Sequence, residues 1–388
     1  DRVRPELLQY CVDVLQPGQT EINWGAKAAA IKNAQVVCST CVGTGSDQLE
    51  GIYFSAVLLD EASQITESAS LIPLCRGCQQ LVLVGDQCQL PPTVASTAAL
   101  EVGAGEPLFN RLIAQGVRPF MLDTQYRMHP AISQFPCDLF YGGRLKDGID
   151  ASARPPPPGF RWPRPDWPVA FVPIPYGREV TEGVSRFNPM EADEVCKVVE
   201  CLMQGGLQGQ DIGVVTPYAA QVRQIRRMLR GQCEVSSVDG FQGREKEVIV
   251  MSTVRASHSG SVGFLSDWRR VNVAFTRPKS GLIVLGNPET LARERETWKP
   301  WLDWVMNHGV NIADPVPRGT LDREALRAKA PDIVKSGLVV VEEEEETKRS
   351  LHRFDSGVSE HAVAAAASGQ QAYQQAYQQP QQQAYQQA

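Results

Sequence analysis

The chain has 388 residues, is 43% hydrophobic and carries 38 basic against 44 acidic residues, a net charge of −6. That length admits two domains and a tail, and no apolar run approaches the roughly 18 residues that span a bilayer, so no membrane-spanning helix and no membrane partner are expected. After residue 312 there are 8 basic and 11 acidic residues, which leaves 30 and 33 before it, so the body is nearly neutral and has no global attraction for nucleic acid.

The elements alternate in chain order. Residues 1–35 read as polar and helical. Strands are expected at Val36–Ser39, Ala56–Asp60 and Leu81–Gly85, with helices near 66–75 and 106–115. This is a βαβ rhythm and implies a parallel sheet. Short continuous apolar runs such as Val57-Leu58-Leu59 point to strands buried on both faces. From about residue 118 a second α/β unit follows, with strands at Phe120–Leu122, Val169–Ile174, Ile212–Thr216, Val235–Val238, Glu247–Ser252 and Leu282–Leu285. Thr216-Pro217 reads as the cap and first turn of a helix running to Leu229. Arg154–Pro168 holds seven prolines and reads as an extended surface loop. The boundaries are therefore 1–117, 118–312 and a tail, 313–388. Glu342–Glu346 is a charge run, and Gln370–Ala388 repeats a Tyr/Gln pattern too polar to bury a core, so this tail is expected to be largely disordered.

The ten cysteines are scattered, which suits a reducing compartment: the cytoplasm, with the nucleus as a second. Cys38/Cys41 and Cys75/Cys78 have C-x-x-C spacing, compatible with zinc, but each pair lies at the end of an apolar segment. Buried, inert thiols are the expectation.

Chemistry gathers at strand ends. In open α/β sheets, ligands bind beyond the carboxyl ends of the strands. Val57-Leu58-Leu59 ends in Asp60-Glu61, and Leu81–Val84 ends in Gly85-Asp86, followed by Gln89-Leu90-Pro91-Pro92. An acid in the first place can hold a nucleotide's Mg²⁺, and a second can polarise the attacking water. Taken alone, such acids also serve as turn formers or helix caps. The ordered series decides between the two: Cys38-Ser-Thr-Cys-Val-Gly-Thr44, Leu59-Asp-Glu-Ala-Ser-Gln64, Gly85-Asp-Gln-Cys-Gln-Leu-Pro-Pro92, Gln125-Tyr-Arg-Met-His-Pro130, Ser237-Val-Asp-Gly-Phe-Gln-Gly-Arg-Glu-Lys246 and Asn272-Val-Ala-Phe-Thr-Arg-Pro-Lys279.

Over residues 36–310 this series resembles the core of superfamily 1 helicases, in the branch of the up-frameshift RNA helicases of nonsense-mediated decay and their senataxin-like relatives. The first motif and Gly263–Asp267 favour the up-frameshift subgroup. The resemblance implies two RecA-like parallel-sheet domains, the first truncated at its N-terminus, with ATP in the cleft and a single strand of RNA or DNA across the top. It implies that Asp60 ligates Mg²⁺ through water and that Glu61 is the general base. Gln89 senses the γ-phosphate, Tyr126 stacks on adenine, Arg127 and Arg277 neutralise the γ-phosphoryl group, and Glu245 accepts from a ribose hydroxyl. Arginine suits that role because its planar fork pairs with phosphate oxygens. Gln242 and Gly243 let backbone pass close to the cleft. Thr40, Val42, Gly43 and Thr44, with Thr216, Pro217, Tyr218 and Ser237, match positions that touch the strand in relatives. His129 reads as a structural hydrogen-bonder. Arg223, Arg226, Arg227 and Arg230 form a basic helix face that either tracks a phosphate backbone or is simply solvated. Pro278 stands where a small residue is common, and Ala62-Ser63 differs from some relatives; neither is a catalytic group.

The implied activity is ATP-dependent 5′-to-3′ helicase translocation in RNA surveillance, with RNA-decay proteins as partners. One alternative is an ATP-gated nucleic-acid clamp or scaffold that remodels RNA–protein complexes without processive unwinding. Another is a degenerate helicase kept for partner binding, which the intact Asp60, Glu61, Gln89, Arg127, Glu245 and Arg277 weigh against. No Gly-x-x-x-x-Gly-Lys-[Ser/Thr] occurs in the chain. That loop cradles the nucleotide's phosphates and supplies a lysine. In the family it precedes the matched region, and the start at Asp1 points to a fragment whose open strand edges favour aggregation. The chain alone is therefore expected to hydrolyse ATP negligibly in a phosphate-release assay; turnover near that of intact helicases would overturn this.

Overall fold

The computed structural model describes residues 24–257, 262–312, 323–329 and 339–340. The glutamine- and tyrosine-rich tail, the glutamate run and residues 1–23 lie outside them. Within them the fold is α/β, built on parallel strands.

Helix α1 (Trp24–Asn33) leads into irregular backbone. Val36–Ser39 is not a strand: Val36 is exposed, and no neighbouring strand among the described residues offers it a ladder. β1 (Ala56–Leu59) and β2 (Gln80–Leu83) pair in parallel, connected through α2 (Glu67–Leu74). Val57 and Leu59 pack with Phe109 of α3 (Leu108–Ala114), along with Leu83 and Ile113. The expectation of burial on both faces fails here. Leu58 is 63% exposed and Val82 52%, because the described helices cover one side of this pair.

α4 (Pro130–Phe140) follows the Gln125–Pro130 motif. His129 is buried and caps it, its Nδ1 accepting from Ala131 N at 3.0 Å, and burial pushes its pKa down. The proline-rich loop carries one buried tryptophan ring, Trp162, whose Nε1 donates to Pro157 O at 2.8 Å. β3 (Val169–Pro173) is followed by an antiparallel hairpin, β4 (Val180–Glu182) and β5 (Ser185–Phe187), which no apolar pattern announces. Then come α5 (Pro189–Gln204), β6 (Ile212–Thr216), α6 (Ala219–Leu229), β7 (Glu234–Ser237), β8 (Lys246–Ser252), α7 (Trp268–Phe275), β9 (Pro278–Gly286) and α8 (Trp298–His308). α6 starts later than Thr216-Pro217 suggests. Thr216 stays in β6, paired with Ser237 of β7, and Tyr218 occupies the cap position.

The second sheet is all parallel, in the order β7-β6-β8-β9-β3. Successive residues of each strand point to opposite faces. Ile249, Met251, Leu282 and Val284 pack toward α4, α7 and α8, where Phe135, Phe275, Trp298 and Trp301 fill one core. Val248, Val250, Ile283 and Leu285 pack toward α5 and α6, against Val195, Val199, Leu202 and Ile225. Both faces are dry, as continuous apolar runs require.

One polar knot sits at the carboxyl end of this sheet. Glu191, fully buried in the first turn of α5, accepts from Ser252 Oγ at 2.7 Å and from Val254 N at 2.7 Å. Asn188 Nδ2 donates to Glu191 Oε1 and to Val254 O, both at 3.2 Å. Burial raises the Glu191 carboxyl from an ordinary 4.5 to about 7, against the lowering pull of these hydrogen bonds. A carboxyl raised by folding binds its proton more tightly in the native state. Its contribution is complete below about pH 4.5 and is lost as pH climbs through 7. Chemical denaturation of the wild type should therefore lose roughly 3 kcal/mol between pH 4.5 and 8 relative to Glu191→Gln. Parallel pH profiles for the two proteins would contradict this.

Candidate nucleotide and nucleic-acid site

The site is assembled where β1 and β2 end and α7 meets the loop before β9. Asp60 and Glu61 follow β1 directly and are exposed. Glu61 adopts φ 52°, a left-handed conformation uncommon outside glycine. Its amide donates to Asp60 Oδ1 at 3.0 Å, and Gln64 Nε2 donates to Glu61 Oε2 at 2.6 Å, so the turn aims both acids outward. After β2, Gly85 passes so close to this turn that a Cβ would stand 2.8 Å from Ser63 N. Glycine is therefore required, and Asp86 N reaches Ser63 Oγ at 3.2 Å.

Asp86 organises the loop after β2. Its Oδ2 accepts from Gln89 Nε2 at 2.8 Å and from Tyr141 OH at 2.6 Å, and its Oδ1 accepts from Cys88 N at 2.9 Å. Asn272 Nδ2, from α7, donates to Tyr141 OH at 3.0 Å and to Cys88 O at 2.8 Å. Full burial and the nearby Asp86 charge push the Tyr141 phenol well above its usual range, so it stays a donor.

Arg277 leaves α7 beside this bridge. It is 3% exposed, with Nε donating to Val273 O at 2.9 Å and Nη2 to Thr276 Oγ1 at 2.8 Å. Nη2 also lies 3.5 Å from Gln89 Oε1. Burial first, and the Arg127 charge second, lower its pKa to about 10, opposed by Tyr141, Glu61 and Asp86. At neutral pH it remains a cation. Arg127 donates Nη1 to Thr276 O at 3.0 Å and pairs with Glu245, Nε to Oε2, at 2.6 Å. Lys279 Nζ holds the other Glu245 oxygen at 2.9 Å; that bond, then Arg127, keeps the Glu245 carboxylate below its usual range.

Arg127 is positioned by Gln125, whose Oε1 accepts from the amides of Arg127 at 3.0 Å and Met128 at 2.8 Å. Tyr126 beside it is 62% exposed, its ring lying over Gly148. Gln242 is half-buried, with Nε2 buried and without a protein partner, and Gly243 turns at φ 73°. Gln89, Arg277, Arg127 and Glu245 thus form one constellation, joined through Thr276; the contacts of Glu61 are local. The contact Asp60 makes is local, to the Glu61 amide.

The donor set fits a nucleoside triphosphate with its divalent cation. Guanidinium groups suit anionic phosphates, and the exposed carboxylates Asp60 and Glu61 suit a cation brought in with the nucleotide rather than a resident one. The fit covers the acid and arginine side alone, since the sequence has no phosphate-cradling loop.

The strand-contacting candidates divide. Thr40 is exposed, with Oγ1 accepting from Gly43 N at 3.0 Å; Val42 is exposed and Thr44 half-buried. Pro217 and Ser237 reach solvent, whereas Thr216 and Tyr218 are buried. Ser237 caps the following turn, accepting from Gly240 N at 3.1 Å. The basic face of α6 is largely committed. Arg226 donates twice to Val235 O, at 2.9 and 2.6 Å, Arg223 pairs with Glu182, Arg227 bonds Gln224, and Arg230 ends the helix in a left-handed turn. The C-x-x-C cysteines are not buried, correcting that expectation: Cys38 and Cys75 are exposed, Cys41 and Cys78 half-buried. Among the described residues no His/Cys/Asp/Glu cluster could hold a metal ion. Tyr141 carries no signal in the sequence, and Asn272, Asp86 and Gln125 stand inside motifs without an evident task.

Two AAA-domain family models match the chain, AAA_11 over residues 13–97 and AAA_12 over residues 104–289. The Drosophila melanogaster "Regulator of nonsense transcripts 1 homolog" is 40% identical over 299 residues, 74% of this chain and 25% of that protein. "ATP-dependent helicase NAM7" of Saccharomyces cerevisiae is 41% identical over 309 residues, 76% of this chain and 31% of that protein. The chain spans about a quarter to a third of the length of these curated relatives. Among solved structures, an arterivirus nonstructural protein 10 helicase with DNA covers 62% of this chain and 41% of its own at 17% identity and TM-score 0.33, too distant to add to the sequence match.

Removing the Tyr141 hydroxyl should leave Asp86 and Asn272 each short of a partner inside the fold. Tyr141→Phe is expected to cost about 1–3 kcal/mol in urea denaturation, with the far-UV spectrum unchanged. An unaltered midpoint would show that the bridge contributes nothing.

Proposed function

We propose, from the premise that this chain belongs to the family of regulator of nonsense transcripts 1 and the NAM7 helicase, that it forms the acid- and arginine-bearing part of an ATP-driven motor on single-stranded nucleic acid. The observation that carries the reading is the buried Arg277. It contacts Gln89, which in turn bonds Asp86, although both residues stand about 190 positions from Arg277 in sequence. The hydrogen-bond partners of Arg277 are neutral oxygens; a buried cation held without a carboxylate is costly, and a bound anion would offset that cost.

The roles follow from the chemistry of each group. Asp60 would hold Mg²⁺ through water, and Glu61, exposed at the strand end and oriented by Gln64, would take the proton of the attacking water. Arg127 and Arg277 would neutralise charge on the γ-phosphoryl group, a contribution of about 10³–10⁵ in rate in related chemistry. Gln89 joins Asp86 to Arg277 and so would transmit nucleotide state. Glu245 now engages Arg127 and Lys279; a bound ribose would compete for it. Tyr126 would offer its exposed ring to adenine. The chain divides at about residues 117/118 into two RecA-like domains, the first lacking its phosphate loop. Thr40, Val42, Gly43 and Thr44, with Pro217 and Ser237, would line the strand path, with loop amides and hydroxyls meeting sugar and phosphate; Thr216 and Tyr218 are buried and would support that path from beneath rather than touch the strand.

The parent activity we assign is 5′-to-3′ translocation on RNA or DNA in nonsense-mediated decay, in the cytoplasm and the nucleus, alongside RNA-decay proteins. Gly263–Asp267 favours the up-frameshift subgroup over the senataxin-like one. A clamp that grips without unwinding would use the same residues; strand displacement measured beside ATP hydrolysis on a helicase-length protein separates the two. In that protein, Glu61→Gln should bind ATP with near-normal affinity and lose hydrolysis at least ~100-fold, as expected for a general base. Normal turnover would remove Glu61 from the mechanism.

A further inference from the structure

Gly263–Asp267 marks the subgroup but stands apart from the nucleotide constellation. Its second residue, Phe264, is 53% exposed, although phenylalanine is usually covered. The ring is not loose. Its centroid lies 5.6 Å from that of buried Tyr218, and the Arg270 guanidinium stands 5.4 Å from it. Gly263 adopts φ 55°, and a Cβ there would strike Arg255 Nη1 and Tyr218 OH. The backbone that presents Phe264 is therefore seated directly on those two side chains.

That seat is built rigidly. Arg255 is 4% exposed, with Nη1 donating to Tyr218 OH at 3.2 Å and Nε to Glu179 Oε2 at 2.7 Å. The same carboxylate oxygen accepts from Ala256 N at 3.0 Å. Val254 immediately before has φ 70°, a conformation a β-branched residue avoids. It is held there by the Glu191–Asn188 knot through its amide and carbonyl. Strain of this kind persists only where the surroundings over-determine it. Here the knot, the strained turn, the Arg255–Tyr218 pair and Gly263 end in a single solvent-facing aromatic ring.

We infer that Phe264 is a nucleobase-stacking residue, its ring presented by Gly263 on the buried Arg255–Tyr218 pair. This rests on the proposed nucleic-acid function and adds to it a residue and a kind of contact. The occupant is a single-stranded nucleic acid, because Tyr218 links Phe264 to the Thr216-Pro217 end of β6 on the proposed strand path; Arg270 beside the ring is paired with Asp239 and Asp267, so the contact rests on stacking rather than on charge. An aromatic face accepts any base, so the contact carries little sequence preference.

The test measures binding of the full chain to a fluorescent oligouridylate and to an abasic phosphodiester oligomer of equal length. Phe264→Ala should weaken oligouridylate binding about fivefold or more, while Phe264→Trp retains it. Neither change should alter binding to the abasic oligomer. Gly263→Ala should reproduce the loss, and combining it with Phe264→Ala should add nothing further. Unchanged oligouridylate binding by Phe264→Ala overturns the inference, and so does an equal loss on the abasic oligomer. Thermal unfolding of each variant guards against misfolding: Phe264→Ala replaces an exposed ring and should melt like the wild type. A wild-type chain that binds neither oligomer overturns the nucleic-acid reading itself, and this inference with it.

Discussion

A buried phenol holds the candidate motor together. Tyr141 OH donates to Asp86 at the end of β2 and accepts from Asn272 in α7, and Asn272 also reaches Cys88 O. Residues from three distant stretches of chain thereby share one hydrogen-bonded centre. Buried polar groups tolerate no missing partner. The geometry of the Gln89 loop and of α7 is consequently coupled: neither moves without stranding the hydroxyl. Arg277 lies one turn further along, so its approach to Gln89 depends on the same constraint.

The two sheets supply different things. The five-stranded sheet is covered on both faces and forms a stiff platform at whose carboxyl edge Ser252, Val254 and Thr216 emerge. Its polar knot around Glu191 fixes loops rather than filling volume. The β1/β2 pair is thinner, with Leu58 and Val82 uncovered. It delivers Asp60, Glu61 and Asp86 to one edge through close packing of two turns, which only Gly85 permits. Acids arrive from the thin layer and guanidinium groups from the thick one. Charge complementarity across such a boundary would give the proposed nucleotide something to bridge.

How much is legible in the sequence depends on whether the signal is local. Ile212–Thr216, Glu247–Ser252 and Leu282–Leu285 are visible because a buried parallel strand needs an unbroken apolar run; the first two match the observed strands within a residue, whereas the third is only the apolar centre of a strand that begins at Pro278. Val36–Ser39 has a similar composition but no ladder partner among the described residues, so apolarity alone misleads. The hairpin at Val180–Phe187 is polar and gives no apolar signal, and α5 hides its apolar stripe among charges. The apolar neighbours of the cysteine pairs point to burial; their own exposure depends on which residues pack above them.

Residue chemistry and order along the chain determined the acids, the arginines, the glutamine between them and the absence of a phosphate-cradling loop, because each motif is a contiguous string whose constraints are local backbone and charge. Tertiary structure alone decided that Arg277 would be buried against Gln89, that Arg127 would rest on Glu245, and that Tyr141 and Glu191 would tie remote segments together. It also turned Tyr218 inward and left Phe264 facing solvent. Those outcomes depend on desolvation and on hydrogen-bond partners dozens to hundreds of residues away, and no local pattern encodes a partner's position.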